Sequence, residues 1–289
     1  MSRVAVVADS NCGIMPERGR QLGVSIVPMP IIIDEVTYYE NVDLTVDTFY
    51  EKQKEGSEIT SSQPSPESVL KIWDELLETH DEIVYIPMSA SLSGSCQSAL
   101  AFAEEYEGKV HVVNNYRISV TQMQAILDAK YLAEQGKSGK EIKDILEKEA
   151  LDASIYICVD TLEYLKKSGR VTAAGAAIGT ALNIKPVLSI QGGKLDAYAK
   201  VRGRKGAFRT MCKALRKDLD TKFAELYKNG ELVFGIANTY MPEEELKQWK
   251  AEFEKEFPGE EVLYAPLTLS IGCHIGPGGL GIGIFRKHN

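Results

Sequence analysis

Short apolar segments that alternate with helix-forming segments fill the first half of the chain, and this alternation most restricts the folds it can adopt. The apolar segments lie at residues 4–8, 24–33, 83–87 and 110–113. The helix-forming segments lie at residues 65–80, 93–106 and 121–135. Short apolar runs of this kind predict strands buried on both faces. The pattern therefore predicts an N-terminal three-layer α/β/α domain with a mostly parallel sheet, at residues 1–155.

Two local signals refine these elements. Ser65-Pro66 begins the first predicted helix, because serine is a favourable N-cap and proline suits the first helical position. Pro28 and Pro30 mark an edge or an interruption in the second predicted strand, since proline lacks the N–H that a sheet requires.

The pattern changes after about residue 150, where hairpin signals appear. Residues 186–190 and 194–201 flank Gln191-Gly192-Gly193 and predict a β-hairpin. Further strands are predicted at residues 155–159, 231–237, 262–266 and 281–285, and helices at 171–182, 205–227 and 242–257. Strands and helices in this order predict a C-terminal α+β domain with a mixed sheet at residues 156–289, and an α/β protein of two domains.

Composition excludes several classes of protein. Apolar residues make up 44% of the 289 residues, yet no apolar run approaches the roughly 20 residues that span a bilayer. The N-terminal residues lack the apolar region and cleavage site of a signal peptide, so we expect a cytoplasmic protein without stable membrane insertion. A net charge of −8 argues against nucleic-acid binding.

Metal and disulfide chemistry are not expected. The five cysteines form no C-x-x-C pair, and an odd number suits reduced thiols better than a disulfide framework. The four histidines form no H-x-x-x-H pair or metal-like cluster. We therefore predict no metal site.

Two serine-rich segments are candidates for anion binding. Residues 60–66 place four hydroxyl side chains just before a predicted helix, where hydroxyls and backbone N–H groups can bind an anion. Residues 88–95 follow a predicted buried strand, the usual position of ligands in open α/β sheets, and Ser93 lies at the start of the next helix. The alternative is that the first segment is a capping loop and that Ser93 is an ordinary N-cap.

A glycine-rich segment near the C-terminus contains His274. Gly276, Gly278 and Gly281 satisfy G-x-G-x-x-G, but a dinucleotide site also needs a βαβ unit and a later acidic residue, and the sequence ends at residue 289. His274 beside a flexible turn is either a ligand-binding or a structural histidine. A serine and a histidine could indicate a hydrolase, although the sequence has neither a G-x-S-x-G elbow nor an identifiable third triad member. Nucleotide motifs are also lacking, so no cofactor is expected.

Five segments, in order, resemble the DegV family, and the resemblance covers essentially the whole chain. The segments read VVADSNCGI, TSSQPSPES, SLSGSCQSA, YLKKSGRVTAAGAAIGTALNIKPVLSI and HIGPGGLG. The resemblance implies a fatty-acid-binding carrier subunit of bacterial fatty-acid kinase, without catalytic activity of its own. It also implies a long acyl chain enclosed between or beneath two domains, with the carboxylate held by Ser61, Ser93 and His274.

The sequence departs from the family pattern at two places. Ser61 stands where threonine is usual, so the hydroxyl remains and Ser62 becomes a possible substitute. Asn114-Asn115 stands where the family often has Asp-Ser, which weakens any role assigned to that turn.

Physical chemistry agrees with the implied role. Burying about 14 to 16 methylenes yields roughly 11 to 13 kcal/mol gross, so the difficulty lies in the charged end, which needs several hydrogen-bond donors. Two hydroxyls and an imidazole supply donors without a lysine or arginine on the anion, and leave the carboxylate nucleophilic. The small residues of the 171–182 segment either leave space beside an acyl tunnel or allow close helix packing.

A partner surface is predicted from charge. Residues 194–217 contain nine basic residues and only Asp196 as an acid, a net +8 that leaves −16 on the remainder. Such polarity can orient a partner, and the expected partner is a kinase subunit that resembles dihydroxyacetone kinase. The resemblance to the DegV family places Arg170 and Arg202 near the contact with this kinase. The alternative is a solvated helix face. The two functional hypotheses are therefore a carrier that presents a fatty acid for acyl-phosphate formation in phospholipid synthesis, and a self-sufficient Ser/His lipid esterase.

Overall fold

The computed structural model describes residues 2–177 and 184–288, whose strands form three sheets in that part of the chain. The strands are β1 Val4–Asp9, β2 Val24–Val27, β3 Pro30–Ile33, β4 Val36–Tyr39, β5 Ile59–Ser61, β6 Glu82–Ile86, β7 Val110–Val112, β8 Ala153–Cys158, β9 Ile184–Ile190, β10 Asp196–Arg202, β11 Leu232–Asn238, β12 Val262–Pro266 and β13 Leu280–Arg286. The helices are α1 Pro16–Leu22, α2 Val46–Glu55, α3 Pro66–Leu77, α4 Ser95–Ala103, α5 Val120–Glu134, α6 Gly139–Lys148, α7 Glu163–Ser168, α8 Ala173–Ala176, α9 Gly203–Asp220, α10 Ala224–Lys228, α11 Glu243–Glu256 and α12 Leu269–Ile275.

The first sheet is entirely parallel and has the order β2-β1-β6-β7. All six residues of β1 are buried, and alternate side chains enter two different cores. Val6 and Ala8 pack with α5 and α6, whereas Val7 packs with α3 and α4 on the opposite face. Helices cover both faces of the sheet, which confirms the predicted three-layer arrangement.

The second sheet is mixed and has the order β10-β9-β8-β13-β11-β12. Its only parallel pair within the described residues is β11 with β12. One face packs against α9 and α11 through a core that includes Phe208 and Phe253. The other face meets α5 at Val120, so α5 lies between the two sheets. The predicted α+β organisation with a mixed sheet is confirmed.

A third, antiparallel sheet of order β4-β3-β5 was not predicted. The single strand expected at residues 24–33 is two strands, because the chain leaves the first sheet after Val27 and enters the third at Pro30. The prolines therefore mark an interruption, and β2, which ends just before Pro28, is also an edge strand of the first sheet. A proline at the first position of β3 places its missing donor where the strand begins.

Other predicted elements differ in extent. The helix expected at residues 205–227 is divided at Thr221 into α9 and α10. In the small-residue segment, only α8 and Ala177 are described, and residues 178–183 lie outside the described residues. Residue 155 lies within β8, and the domain boundary placed there stays a prediction. Within the described ranges, no helix combines the length and apolar character needed to cross a bilayer.

Candidate functional site

A cavity of about 280 Å³ lies beyond the carboxyl ends of β1 and β6, where open α/β sheets bind their ligands. We call it the polar cavity. Its walls come from the loops after these strands, from β5, from the α7 region and from α12. Its lining residues are Asn11, Met29, Ser61, Ser62, Gln63, Met88, Leu92, Ser93, Gly94, Ile118, Leu165, Arg170, Leu195, Ser270, Ile271, His274 and Ile275.

Ser61 and His274 form a hydrogen-bonded pair in this cavity, with 2.8 Å between Ser61 Oγ and His274 Nε2. Ser61 is the last residue of β5, where it pairs with Ile31, and so it belongs to a strand rather than to the predicted capping loop. His274 lies in the last turn of α12, a helix that was not predicted, and the glycine-rich turn follows directly after this helix. The third sheet and α12 therefore bring together two side chains 213 residues apart.

The position of His274 depends on both ends of its short helix. At the start of α12, the carboxylate of Glu40 accepts the backbone N–H of Leu269 at 2.8 Å. The helix ends at Gly276, which has φ of +74°, and an added Cβ there would lie 2.4 Å from the ring of Tyr164. Only glycine satisfies both the backbone conformation and this close approach.

Burial, and to a smaller extent the positive charge of Arg170, together lower the pKa of His274 from 6.5 to about 4. The imidazole is therefore neutral at pH 7. A neutral imidazole has one N–H and one acceptor nitrogen, so its bond with Ser61 can run in either direction. The pair can thus donate one hydrogen to a ligand oxygen without bringing its own charge.

Ser93 lines the same cavity from the loop after β6. It is not the N-cap of α4, which begins at Ser95 after Gly94. Its hydroxyl nevertheless accepts the backbone N–H of Ser95 at 3.2 Å, as in the structural alternative. The hydroxyl hydrogen stays available as a donor. The structure therefore brings Ser61, Ser93 and His274 around one cavity, and Ser62 also lines it.

A buried polar network beneath the cavity was missed by sequence reasoning. Asp9, fully buried at the end of β1, accepts the backbone N–H groups of Asn11 at 3.0 Å and Met88 at 2.6 Å. Burial raises its pKa from 3.8 to about 6. Asn11 in turn accepts hydrogen bonds from the hydroxyls of Thr268, at 3.1 Å, and Ser270. The network links the loops after β1 and β6 to α12. The Asp-Ser-Asn turn after an apolar strand was the available signal.

Arg170 lies at the wall of the polar cavity, although it was predicted on a docking surface. Its Nε donates to the carbonyl of Leu92 at 3.3 Å and its Nη1 to the carbonyl of Ser168 at 2.6 Å. Arg202, in contrast, is exposed at the junction of β10 and α9 and does not line the cavity. The structure therefore separates these two arginines. Sequence reasoning expected no arginine on the anion, and in the structure Arg170 borders the cavity while its Nε and Nη1 are bonded to backbone carbonyls.

A second cavity of about 60 Å³ adjoins the first, and we call it the apolar cavity. The two share the side chains of five apolar residues, Leu92, Ile118, Leu195, Ile271 and Ile275. Its inner wall is the face of the second sheet formed by β8, β11 and β13, with Ile157, Ala237 and Gly281 among the lining residues. The site thus passes from hydroxyls and an imidazole to a hydrocarbon interior.

The small residues predicted beside an acyl tunnel do not line either cavity where they are described. Ala173, Ala174 and Ala177 are exposed, and Gly175 packs against Val171. Gly179 and Ala181 lie outside the described residues. Ala176 packs, partly buried, against the core that includes Leu92, Ile271 and Ile275, so both interpretations of this segment stay predictions.

Comparisons with known proteins agree with this architecture. The model of the DegV family, described as uncharacterised proteins, matches residues 3–287. A DegV domain-containing protein of Deinococcus radiodurans is 30% identical over 285 residues, which cover 97% of this chain and 98% of the relative. The solved structure of a DegV family protein from Thermus thermophilus, described as binding fatty acid, has 32% identity and a TM-score of 0.86, and the match covers 98% of this chain and 99% of that one. A stearic-acid-binding protein from Eubacterium ventriosum has 25% identity and a TM-score of 0.85, with 99% of each chain covered. The chain therefore belongs to the DegV family.

Proposed function

We propose that this protein binds one long-chain fatty acid, with the carboxylate at the polar side chains of the polar cavity and the acyl chain running along that cavity's apolar wall into the apolar cavity. The observation that carries the proposal is the junction of the two cavities, where three hydrogen-bonding side chains border a hydrocarbon interior. The fatty-acid-binding relatives from Thermus thermophilus and Eubacterium ventriosum support it. In this proposal Ser61, Ser93 and His274 bind the carboxylate.

The acyl chain and the carboxylate contribute differently to the free energy of binding. Each buried methylene contributes about 0.8 kcal/mol, so the chain provides most of the affinity. Burying the carboxylate without partners would be costly, and hydrogen bonds to a charged group contribute roughly 1.5–3 kcal/mol each. The positive charge of Arg170 at the cavity wall also favours an anion there. The polar cavity therefore selects the carboxylate and determines its orientation.

The finer proposal is that the protein presents this carboxylate to a separate ATP-dependent kinase subunit, of the type that resembles dihydroxyacetone kinase. The product would be an acyl phosphate for phospholipid synthesis, made in the cytoplasm. The basic segment 194–217 would contact the kinase, and its exposed cations include Arg202 and Lys205. The protein itself would act as a carrier rather than as an enzyme.

The alternative esterase has one observation in its favour, the 2.8 Å contact between Ser61 and His274. Two features disfavour it. A general base works best when its pKa lies near the working pH, whereas burial lowers the pKa of His274 to about 4. Within the described residues, no carboxylate hydrogen-bonds the imidazole to orient it, as a triad requires. The pair fits the binding of an oxygen anion better than the activation of a serine.

Extraction of the purified protein tests the binding proposal. We expect organic solvent to release free long-chain fatty acid, identified by lipid mass spectrometry, and the stripped protein to bind palmitate again. Ester substrates should not be turned over by the protein alone. If no fatty acid were extracted and the stripped protein bound none, the proposed function would be wrong.

A further inference from the structure

An open depression of about 350 Å³ adjoins the polar cavity on its outer side, and we call it the mouth. The mouth shares Leu92, Ser93, Gly94 and Arg170 with the polar cavity. Its remaining lining residues are Ala90, Ser91, Gln97, Ser168, Gly169 and Lys194. Because Ser93 borders both spaces, a group attached to a carboxylate bound at Ser93 would emerge in the mouth.

Two cations border the mouth, and backbone carbonyls hold both of them. Lys194 Nζ donates to the carbonyl of Gly169 at 2.8 Å. Arg170 donates from Nε and Nη1 to the carbonyls of Leu92 and Ser168, which leaves Nη2 available. Within residues 2–177 and 184–288, neither cation forms an ion pair with a carboxylate. Neutral carbonyls position these groups without cancelling their charge, so both can still neutralise an anionic ligand.

Two other arginines of the same region, unlike Arg170 and Lys194, are paired with carboxylates. Arg204 forms ion pairs with Asp160 and Glu245, and Arg216 pairs with Glu256. Their charges are therefore compensated within the protein. The two uncompensated cations at the mouth form a local excess of positive charge directly outside the carboxylate site.

The start of α4 adds to this positive potential. The helix is nine residues long, and Gly94 at its N-cap supplies no side-chain cap, although Ser93 Oγ accepts the N–H of Ser95. Gly94 and Gln97, on the first turn, line the mouth. The positive end of a helix dipole favours anions at this position. A carboxylate carries one negative charge, whereas a phosphoryl group carries close to two and gains more from such surroundings.

We propose that the mouth is a phosphoryl subsite, which binds the phosphate of an acyl phosphate whose acyl chain remains in the apolar cavity. This inference rests on the proposed function. In the reaction, a carboxylate oxygen attacks the terminal phosphorus of a nucleoside triphosphate supplied by the partner. The new O–P bond forms as the bond to the leaving nucleoside diphosphate breaks, and no proton is required. Lys194 lines the mouth but not the polar cavity, so it contacts the product phosphate and not the free carboxylate.

Direct binding measurements on the stripped, full-length protein test the subsite. The two ligands are palmitate and a stable β-ketophosphonate analogue of palmitoyl phosphate, in which CH₂ replaces the bridging oxygen. We expect Lys194→Gln to weaken binding of the analogue about tenfold, the loss of one hydrogen bond to a charged group, and to leave palmitate affinity within about twofold. Lys200→Gln is the matched control, because Lys200 is an exposed lysine of β10 that does not line the mouth.

The outcomes separate the inference from the function on which it rests. If Lys194→Gln weakened binding of both ligands equally, or of neither, the phosphoryl subsite would be wrong while palmitate binding by the wild type would still support the proposed function. An equal loss in Lys200→Gln would indicate a general charge effect and also overturn the subsite. If the wild type bound neither ligand, the proposed function itself would fail.

Discussion

The protonation of His274 depends on whether an anion lies beside its ring. Its pKa is lowered from an ordinary value of 6.5 to about 4, because burial and Arg170 disfavour the imidazolium. A carboxylate bound beside the ring would favour the charged form and raise this pKa. Binding of a fatty-acid anion should therefore be accompanied by proton uptake at His274.

The lowered pKa of His274 makes the free energy of unfolding depend on pH, because the folded and unfolded proteins bind different numbers of protons. Between pH 6.5 and about 4, the unfolded protein binds a proton at His274 that the folded protein does not bind. The free energy of unfolding contributed by this residue therefore falls as the pH falls through this window. Each pH unit within it corresponds to about 1.4 kcal/mol.

We predict that the empty wild type loses on the order of 1 kcal/mol more stability than His274→Gln between pH 7.5 and pH 5.5. Palmitate should stabilise the wild type more strongly at the lower pH. Denaturant unfolding of both proteins at the two pH values, with and without palmitate, measures both effects. Because the variant retains the other titrating groups, equal pH dependence in the two proteins would contradict the low pKa of His274.

At the scale of the element, β13 forms part of the inner wall of the apolar cavity. Gly281 lies in this inner strand of the second sheet and lines the cavity. An added Cβ would lie 3.8 Å from the nearest atoms, which belong to Ala237, Ile157 and Tyr156. This is ordinary contact distance, so a side chain fits there and would occupy the space of a ligand. At Gly283, in contrast, a Cβ would lie 2.9 Å from the carbonyl oxygen of Ser154.

We predict that Gly281→Ala and Gly281→Val progressively shorten the acyl chain that the protein accepts. Valine is compatible with a strand, and exclusion of two methylenes would cost about 1.6 kcal/mol. Affinities for stearate, palmitate and laurate measure the effect: the loss should be largest for stearate and smallest for laurate. Thermal unfolding controls for damage to the sheet. Equal losses at all chain lengths would show that Gly281 does not limit chain length.

At the scale of the whole molecule, charge is distributed unevenly. The segment 194–217 carries +8 and the remainder −16. Arg204 and Arg216 are compensated by ion pairs, but several exposed cations of this segment lie along β10 and α9. Such a surface increases the rate at which an acidic partner associates, and salt screens the effect.

We predict that Arg202→Glu slows kinase-dependent phosphorylation of the bound fatty acid and leaves the bound lipid in place. Arg202 is the informative position, because Arg170 borders the ligand cavity and its reversal would disturb binding itself. Lys71→Glu on α3, an exposed charge reversal outside the basic segment, is the control. Turnover and association rate should be measured at low and high salt. Unchanged partner affinity and salt dependence in Arg202→Glu would remove this surface from the docking interface.

Sequence by itself determined the elements that depend on local interactions. The fully apolar β1 requires cover on both faces, Ser65-Pro66 begins α3 at Pro66, and the Gly192-Gly193 turn joins β9 to β10. Each of these features depends on neighbouring residues, whose hydrophobic pattern and backbone preferences are visible in the sequence. The likeness of whole segments to a known family added the identity of three candidate side chains.

Only the tertiary structure decided how those side chains meet. Ser61 and His274 are 213 residues apart, and their contact requires the third sheet and α12, two elements with weak local signals. α12 is short and contains Gly272, so its helical form depends on packing and on the bond from Leu269 to Glu40. The inward position of Arg170 likewise depends on the carbonyl of Leu92, 78 residues away. Contacts between distant residues set the site, and no local pattern encodes them.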